Sequence, residues 1–319
     1  MNKKGEKVVD IYKLFESVLL LMLMIIPGFI MRKTGLADDG LSKGFANTIL
    51  YITQPAMISV AFIRDFDKDI LYIAVGVLIF SFVAHALFYF IALHLFKNAE
   101  KEIRKVLQFG VVFSNAGYMG IPLIIAILGD YAAIYASVYI IGFNVFSWSL
   151  GCLIYSEDKK YISPRKIFIN AASIPTYIGI LVFVLPINNY IPLVVVDGLD
   201  MLKNTVAPMS MMLIGMRLAQ VNFKGIFKDK YMPAGTVVRL IIFPALIWVI
   251  MRLVSLTGIY VSETAMTVVL ICAATPCAAM TGMFAEKFNG DAIYASKFVS
   301  ITTLLSVATM PLVALLLKI

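Results

Sequence analysis

Charged side chains are scarce in this 319-residue sequence. Asp, Glu, Lys and Arg make up 14% of it, hydrophobic residues make up 61%, and the mean hydropathy is +0.91. A soluble globular domain carries about 25% charged residues, so the composition excludes that class. A membrane-spanning helix needs about 20 apolar residues, and spanning strands would give a much weaker signal. The sequence therefore predicts an all-α integral membrane protein surrounded by lipid.

Cysteine and histidine are also rare, which argues against metal and redox sites. The three cysteines, Cys152, Cys272 and Cys277, lie in apolar segments, form no CxxC pair and have no histidine near them in sequence. The two histidines, His85 and His94, are nine residues apart and do not form a chelating pair. We expect no structural disulfide, no metal site and no cofactor.

Enzyme motifs and large basic loops are missing too. The sequence has no GxSxG, no His-rich cluster and no paired intramembrane aspartates, so we expect no catalytic activity. The formal net charge is +8, but a nucleic-acid surface needs a clustered basic face outside the membrane. No loop is large enough for such a face, and we expect no nucleic-acid partner.

Ten apolar segments are candidate membrane spans, and they form two groups of five. The first group occupies 1–155 and the second 166–319, with a cytoplasmic linker at 156–165. The predicted spans are 11–32, 41–63, 70–96, 103–128 and 131–155, followed by 166–186, 194–217, 233–255, 262–285 and 291–317.

The distribution of Lys and Arg predicts the orientation of these spans. Sixteen of them fall in the loops after spans 1, 3, 5, 7 and 9, and eight fall on the other side. Positive loops face the cytoplasm. We therefore expect a multi-pass protein of the plasma membrane with both termini extracytoplasmic.

A short sequence repeat relates the two groups of spans. "GDYAAIYAS" (129–137) recurs as "GDAIYAS" (290–296), and the second span of each group carries a proline, Pro55 or Pro208. A second copy that starts after five crossings must enter the membrane from the opposite face. The sequence thus predicts two inverted five-helix repeats, an arrangement typical of secondary transporters.

The fourth span of each group is predicted to break at the middle of the membrane. Pro122 removes the hydrogen bond to the carbonyl of Tyr118, and Gly117 and Gly120 allow conformations closed to other residues. Pro276 interrupts the ninth span in the same way. Two such breaks that cross would aim two helix N-termini at one point. Each carries roughly half a positive charge, so the pair predicts a site for about one carboxylate.

Several other polar residues lie within predicted spans. Lys297 is a candidate countercharge for the substrate or for Glu286, a donor to freed carbonyls, or a side chain that snorkels to the interface. Lys203 and Arg239 are expected to snorkel or to serve the structure. The candidates for lining a cavity are Asn144, Ser300, Thr302 and Thr303.

These residues carry a resemblance to a known family. "SNAGYMGIPLII" (114–125) resembles the broken fourth helix of the auxin efflux carrier family, which includes plant auxin exporters and bacterial malate or malonate permease-like proteins. The segment from "TPCAAMTG" through "FAEKFN" to "TMPL" (275–312) is similar to the ninth and tenth helices of that family.

The resemblance implies a fold like that of bile-acid and sodium/proton transporters. Spans 1, 2, 6 and 7 would form a scaffold that dimerises, and spans 3–5 and 8–10 would form a mobile transport unit. It also implies that Asn115 contacts the carboxylate, although its counterpart near Ala274 or Thr275 is not an asparagine. The candidate substrate-binding residues are Asn115, Ala116, Gly117, Gly120, Ile121, Pro122, Asn144, Thr275, Pro276, Cys277, Thr281 and Lys297.

The function expected from these features is an elevator-like carrier of small organic carboxylates, with the substrate held where the fourth and ninth helices cross. An anion channel and a non-transporting receptor are the alternatives. Saturable flux with counterflow separates a carrier from a channel, and ligand binding without flux identifies a receptor. The absence of an obvious acidic residue at the crossover favours uniport or transport driven by the membrane potential.

Overall fold

The computed structural model describes residues 11–170, 173–185, 187–220 and 229–315. These residues are almost wholly helical, and their strand pairing is limited to one isolated bridge. The first half contains α1 (Ile11–Leu23), α2 (Ile25–Lys33), α3 (Asp39–Thr48), α4 (Gln54–Phe62), α5 (Lys68–Ala92), α6 (Lys101–Val112), α7 (Ile121–Leu128), α8 (Ala133–Phe146) and α9 (Cys152–Ser156). The second half contains α10 (Pro164–Phe168), α11 (Ser173–Val184), α12 (Leu193–Lys203), α13 (Val206–Leu218), α14 (Tyr231–Val237), α15 (Phe243–Leu256), α16 (Glu263–Ala274), α17 (Met280–Lys287) and α18 (Ala292–Leu315).

Four helical stretches of the described chain are long and apolar enough to cross a membrane. They are Asp39–Phe62, Lys68–Ala92, Asp130–Ser156 and Tyr231–Leu256. Other apolar helices are shorter, because several predicted spans are interrupted. The all-helical class is confirmed, whereas the count of ten spans stays a prediction.

Short π-helical segments precede α-helices at four places in the described chain: Ile49–Thr53, Ala116–Gly120, Ser147–Gly151 and Val238–Ile242. Three of them continue a preceding α-helix, whereas Ala116–Gly120 follows a break in the chain. Three of them are followed by a proline in the first turn of the next helix, namely Pro55, Pro122 and Pro244. Proline lacks the N–H that an α-helix needs at its interior positions. A wider turn just before it shifts the hydrogen-bond register, so these prolines continue the helix path instead of ending it.

Close packing of α2 against α13 depends on two glycines. A β-carbon on Gly215 would overlap the carbonyl of Ile25, and one on Gly28 would overlap the carbonyl of Met212. Such contact between helix backbones is the usual role of small residues in membrane proteins. Predicted spans 1 and 7 therefore lie directly against each other.

An ion pair between a buried lysine and exposed aspartates links α12 to the corner between α7 and α8. The side chain of Lys203 is 9% exposed, and its Nζ lies 2.7 Å from Asp130 Oδ2 and 2.7 Å from Asp200 Oδ1. Of the two roles expected for Lys203, the structure therefore supports the structural one. A buried ammonium is tolerated here because two carboxylates compensate its charge.

Candidate functional site at the helix crossover

The two interrupted helices cross and pair through their backbones. α6 ends at Val112 and α16 ends at Ala274. Beyond these ends, Asn115 N donates to Pro276 O at 2.8 Å and Ala278 N donates to Phe113 O at 2.9 Å. Ser114 and Cys277 form the isolated antiparallel bridge between these bonds. The bonds satisfy backbone groups that would otherwise be costly to bury.

The break in the first half lies earlier than its prolines and glycines predicted. The chain is extended at Phe113, whereas Pro122 sits in the first turn of α7 after a π-segment. Gly117 and Gly120 are not among the described glycines with positive φ, so the structure does not use the conformational freedom that the sequence offers at these positions. Pairing with the second break, rather than a proline, fixes the position of the interruption.

Both interrupted spans resume helical structure beside one cavity. In the first half the helix restarts at Ala116 after Asn115, and in the second it restarts at Met280 after Ala279. Asn115 and Ala279 both line the cavity. The two helix N-termini thus face a common space, and each contributes partial positive charge there.

The cavity encloses about 400 Å³, including the space at its open mouth. One wall is α13, and the other walls are the crossover and α18. None of the described residues that line it is Asp or Glu. The lining residues are Asn115, Tyr118, Ser210, Leu213, Ile214, Arg217, Leu218, Ala279, Val299, Ser300 and Thr303.

Arg217 is the only charged side chain among the described residues of this lining. It is half-buried, and within the described residues it makes no hydrogen bond or ion pair. Asn115 is 6% exposed, and its side-chain amide likewise has no hydrogen-bond partner in the described part of the chain. A guanidinium and an amide with free donors suit a carboxylate, which accepts hydrogen bonds through both oxygens.

Helical spacing explains how α13 presents this wall. Leu213, Ile214 and Arg217 lie three, four and seven residues after Ser210 and therefore share one helix face with it. The Ser210 hydroxyl is buried and has no partner among the described residues. The sequence did not indicate this face, because Arg217, the last residue of the predicted span 194–217, is counted among the cytoplasmic cations that follow the span. The seven-residue spacing of Ser210 and Arg217 along an apolar helix is the signal that identifies it.

Most of the predicted site residues lie at the crossover behind the cavity. Ala116, Ile121 and Pro122 are buried in the helical segments that follow the first break, and Gly120 faces Thr275 and Cys272. Asn115 is the one member of the predicted set that lines the cavity. Ala116, Gly120, Ile121 and Pro122 instead pack at the crossover next to it.

The second break is held by its own polar side chains. Thr275 Oγ1 donates to Cys272 O at 2.8 Å, and Cys277 Sγ lies 3.1 Å from Thr281 Oγ1. Cys277 N donates to Thr302 Oγ1 at 3.2 Å. Of the three polar residues expected on the tenth span, Ser300 and Thr303 line the cavity. Thr302 instead accepts the hydrogen bond from Cys277 N and so holds the second break.

Two predicted site residues lie away from the cavity. Asn144 Nδ2 donates to Asn170 Oδ1 at 3.3 Å and to Ser173 Oγ at 3.2 Å, so it joins the fifth and sixth predicted spans. Lys297 is half-buried and is not part of the cavity lining. Both were placed near the site because a polar residue in a span is often functional, but Asn144 has a structural partner.

Comparison with known proteins places this site in context. The model of a family described as "Membrane transport protein" matches residues 13–176 and again residues 161–314. The double match shows the internal repeat. An uncharacterized transporter of Methanocaldococcus jannaschii is 22% identical over 307 residues, which cover 93% of this chain and 96% of the relative.

Proposed function

Because this chain belongs to the membrane transport protein family, the auxin efflux carrier family, we propose that it is a secondary carrier of small organic carboxylate anions. It is a multi-pass membrane protein, and we place it in the plasma membrane with both termini outside. The proposal extends the family's general role to one substrate class and one mechanism.

The observation that carries the proposal is the charge of the cavity. Arg217, the amide of Asn115 and two helix N-termini face the same space, and the described part of the chain places no carboxylate in its lining. The remaining lining includes the apolar side chains of Leu213, Ile214 and Val299. A site with one cation, polar donors and an apolar wall suits an anion with a small organic body.

The position of the cavity suggests how the anion moves. In the proposed architecture, ten spans form two inverted repeats; spans 1, 2, 6 and 7 make a dimeric scaffold, and the others make the transport unit. Arg217 belongs to span 7, whereas Asn115 and Ser300 belong to the transport unit. The cavity therefore lies on the boundary between the two bodies, where an elevator-like displacement would act.

Such a displacement would change the ligands of the anion. Asn115 and the helix N-termini would travel with the substrate, and Arg217 would stay with the scaffold. The anion would lose its only charged partner during the movement, which lowers its affinity on the far side. This arrangement couples displacement to release, because binding differs between the two states.

The direct test is flux through the purified protein in liposomes. A panel of labelled mono- and dicarboxylates is offered, and we expect saturable uptake that accelerates when unlabelled substrate is loaded inside. Asn115→Ala should lower that uptake at least tenfold, because the cavity loses an amide donor worth about 1.5 kcal/mol. Asn189→Ala, which changes an exposed asparagine in the short 3-10 helix Asn188–Tyr190, is the matched control.

Other outcomes would point to the alternative functions. Flux that rises linearly with concentration and shows no counterflow would indicate an anion channel. Binding measured by thermal shift without any flux would indicate a receptor. Transport that is unchanged in Asn115→Ala would remove the crossover as the binding site.

A further inference from the structure

Arg239 is fully buried on the side of the crossover away from the cavity. It lies in the π-segment Val238–Ile242 between α14 and α15, and it is 0% exposed. A buried arginine within a membrane helix is costly unless its donors are satisfied. Its surroundings therefore have to supply several acceptors.

Those acceptors are backbone carbonyls from both broken helices. Arg239 Nη1 donates to Val111 O at 2.7 Å and to Val112 O at 3.3 Å. Its Nε donates to Thr275 O at 3.2 Å, and its Nη2 donates to Ala273 O. No ion pair with an acidic side chain is formed by Arg239 within the described residues. We call these four carbonyls the carbonyl cage.

The carbonyl cage belongs to the C-terminal ends of α6 and α16. The last carbonyls of a helix have no partner within the helix, and each helix end carries roughly half a negative charge. Two such ends carry about one negative charge, which one guanidinium balances. In transporters with broken helices, freed carbonyls of this kind coordinate a coupling sodium ion.

We propose that Arg239 is a built-in cation that fills the carbonyl cage, so that this carrier takes up no sodium ion at the crossover. The charge that a soluble cation would supply is covalently attached to the chain. Removing the side chain turns the cage into an empty site for a monovalent or guanidinium-like cation. The transport part of this inference rests on the proposed function, whereas the cage itself does not.

The wild-type protein provides the first test. Carboxylate uptake into liposomes is measured in sodium chloride and in choline chloride of equal concentration, with the membrane potential clamped. We expect rates that agree within about twofold. A tenfold or greater dependence on sodium would overturn the inference, while the carrier function itself would stand.

The second test fills the cage chemically. Purified Arg239→Ala is unfolded by heat in choline chloride, with millimolar guanidinium chloride or millimolar urea added. Guanidinium and urea have similar planar shapes, but only guanidinium is charged. We expect guanidinium to raise the Tm of the variant by several degrees and urea to leave it unchanged, with neither affecting the wild type.

Equal responses to guanidinium and urea, or equal responses of variant and wild type, would overturn the inference. Sodium chloride in place of choline chloride should also raise the Tm of Arg239→Ala, by a smaller amount. The Tm measurement needs no transport, so it tests the carbonyl cage even if the protein carries no carboxylate. A complete lack of carboxylate transport in every salt would count against the proposed function alone.

Arg239→Lys covers the case in which Arg239→Ala does not fold. An ammonium retains the charge but reaches fewer carbonyls than a guanidinium does. We expect this variant to fold with a lower Tm and to transport independently of sodium. Uptake by Arg239→Lys that requires sodium would show that a bound cation, and not the attached charge, is needed there.

Discussion

The two sides of the crossover each contain an arginine, and the two arginines differ in their partners. Arg239 faces the C-terminal ends of the broken helices and is saturated by four carbonyls. Arg217 faces the space in front of the restarting helices, and its side chain makes no hydrogen bond or ion pair with the described residues. One side is closed by the chain itself, and the other is open to a ligand.

This comparison shows that residue type does not decide the role of a charge in a membrane. Donors that are already satisfied stabilise the fold, and donors that are left free bind something else. The helix ends set the sign on each side, since C-termini attract a cation and N-termini attract an anion. Independent measurements of stability and of ligand binding separate the structural role of Arg239 from the binding role proposed for Arg217.

The largest effect is expected from Arg239→Met. Four carbonyls lose their donor in a dry environment, and each unsatisfied group costs about 1–3 kcal/mol. We expect the free energy of unfolding in detergent to fall by about 3–5 kcal/mol, seen as a much lower Tm and poor recovery by size exclusion. Arg252→Met, which removes a partly exposed arginine near Glu263, should change the Tm little. Similar losses in both variants would contradict the role of the carbonyl cage.

Arg217→Gln should give the opposite pattern. The substrate loses its charged partner, so we expect the Kd for the best carboxylate to rise at least thirtyfold, which corresponds to about 2 kcal/mol. The Tm without ligand should stay within a degree or two of the wild type, because the Arg217 side chain makes no hydrogen bond or ion pair with the described residues. Calorimetry and thermal unfolding of the same preparation measure both quantities. A fall in Tm without a loss of affinity would assign Arg217 to the fold instead, and Arg252→Gln is the matched control.

The smallest effect is expected at Glu157, where charges meet in solvent. Its Oε2 lies 2.6 Å from Lys101 Nζ and its Oε1 lies 4.0 Å from Lys105 Nζ. The hydrogen bond from Lys101 lowers the pKa of Glu157 below its ordinary value of 4.5. The stability that this pair contributes is therefore present above pH 4.5 and is lost as the pH falls through the lowered pKa.

Glu157→Gln tests this pH dependence. We expect a loss below about 1 kcal/mol at neutral pH, because an exposed pair is screened by water and salt. The difference between variant and wild type should shrink in high salt and disappear in acid. A difference that persists below pH 3 would show that the carboxylate acts through something other than its charge.

The sequence predicted the second break better than the first. In the ninth span, Pro276 stands at the interruption itself, and the preceding Thr275 is extended as a residue before proline tends to be. In the fourth span, the π-segment Ala116–Gly120 accommodates Pro122, so the motif lies just after the break. A proline marks a local constraint, and the neighbouring chain determines where the helix actually ends.

The two arginines show what sequence reasoning could not reach. The contacts of Arg239 with Val111 and Thr275 span 128 and 36 residues of sequence, and no local pattern reports such distances. Arg217 was placed in a loop because it stands at the end of an apolar run. Asn115 was identified because the motif around it is specific, and the cavity is built around that residue.

Lys203 and Asp130 join the two bodies of the proposed carrier, so any sliding of one past the other must first pull them apart. Asp200, on the same helix as Lys203, is already within 2.7 Å of the ammonium and would stay with it. The lysine is consequently never stranded without a counterion, and the parting costs less than the rupture of an isolated pair. The ion pair between Lys203 and Asp130 can therefore break and re-form in every transport cycle while Asp200 keeps the lysine charge compensated.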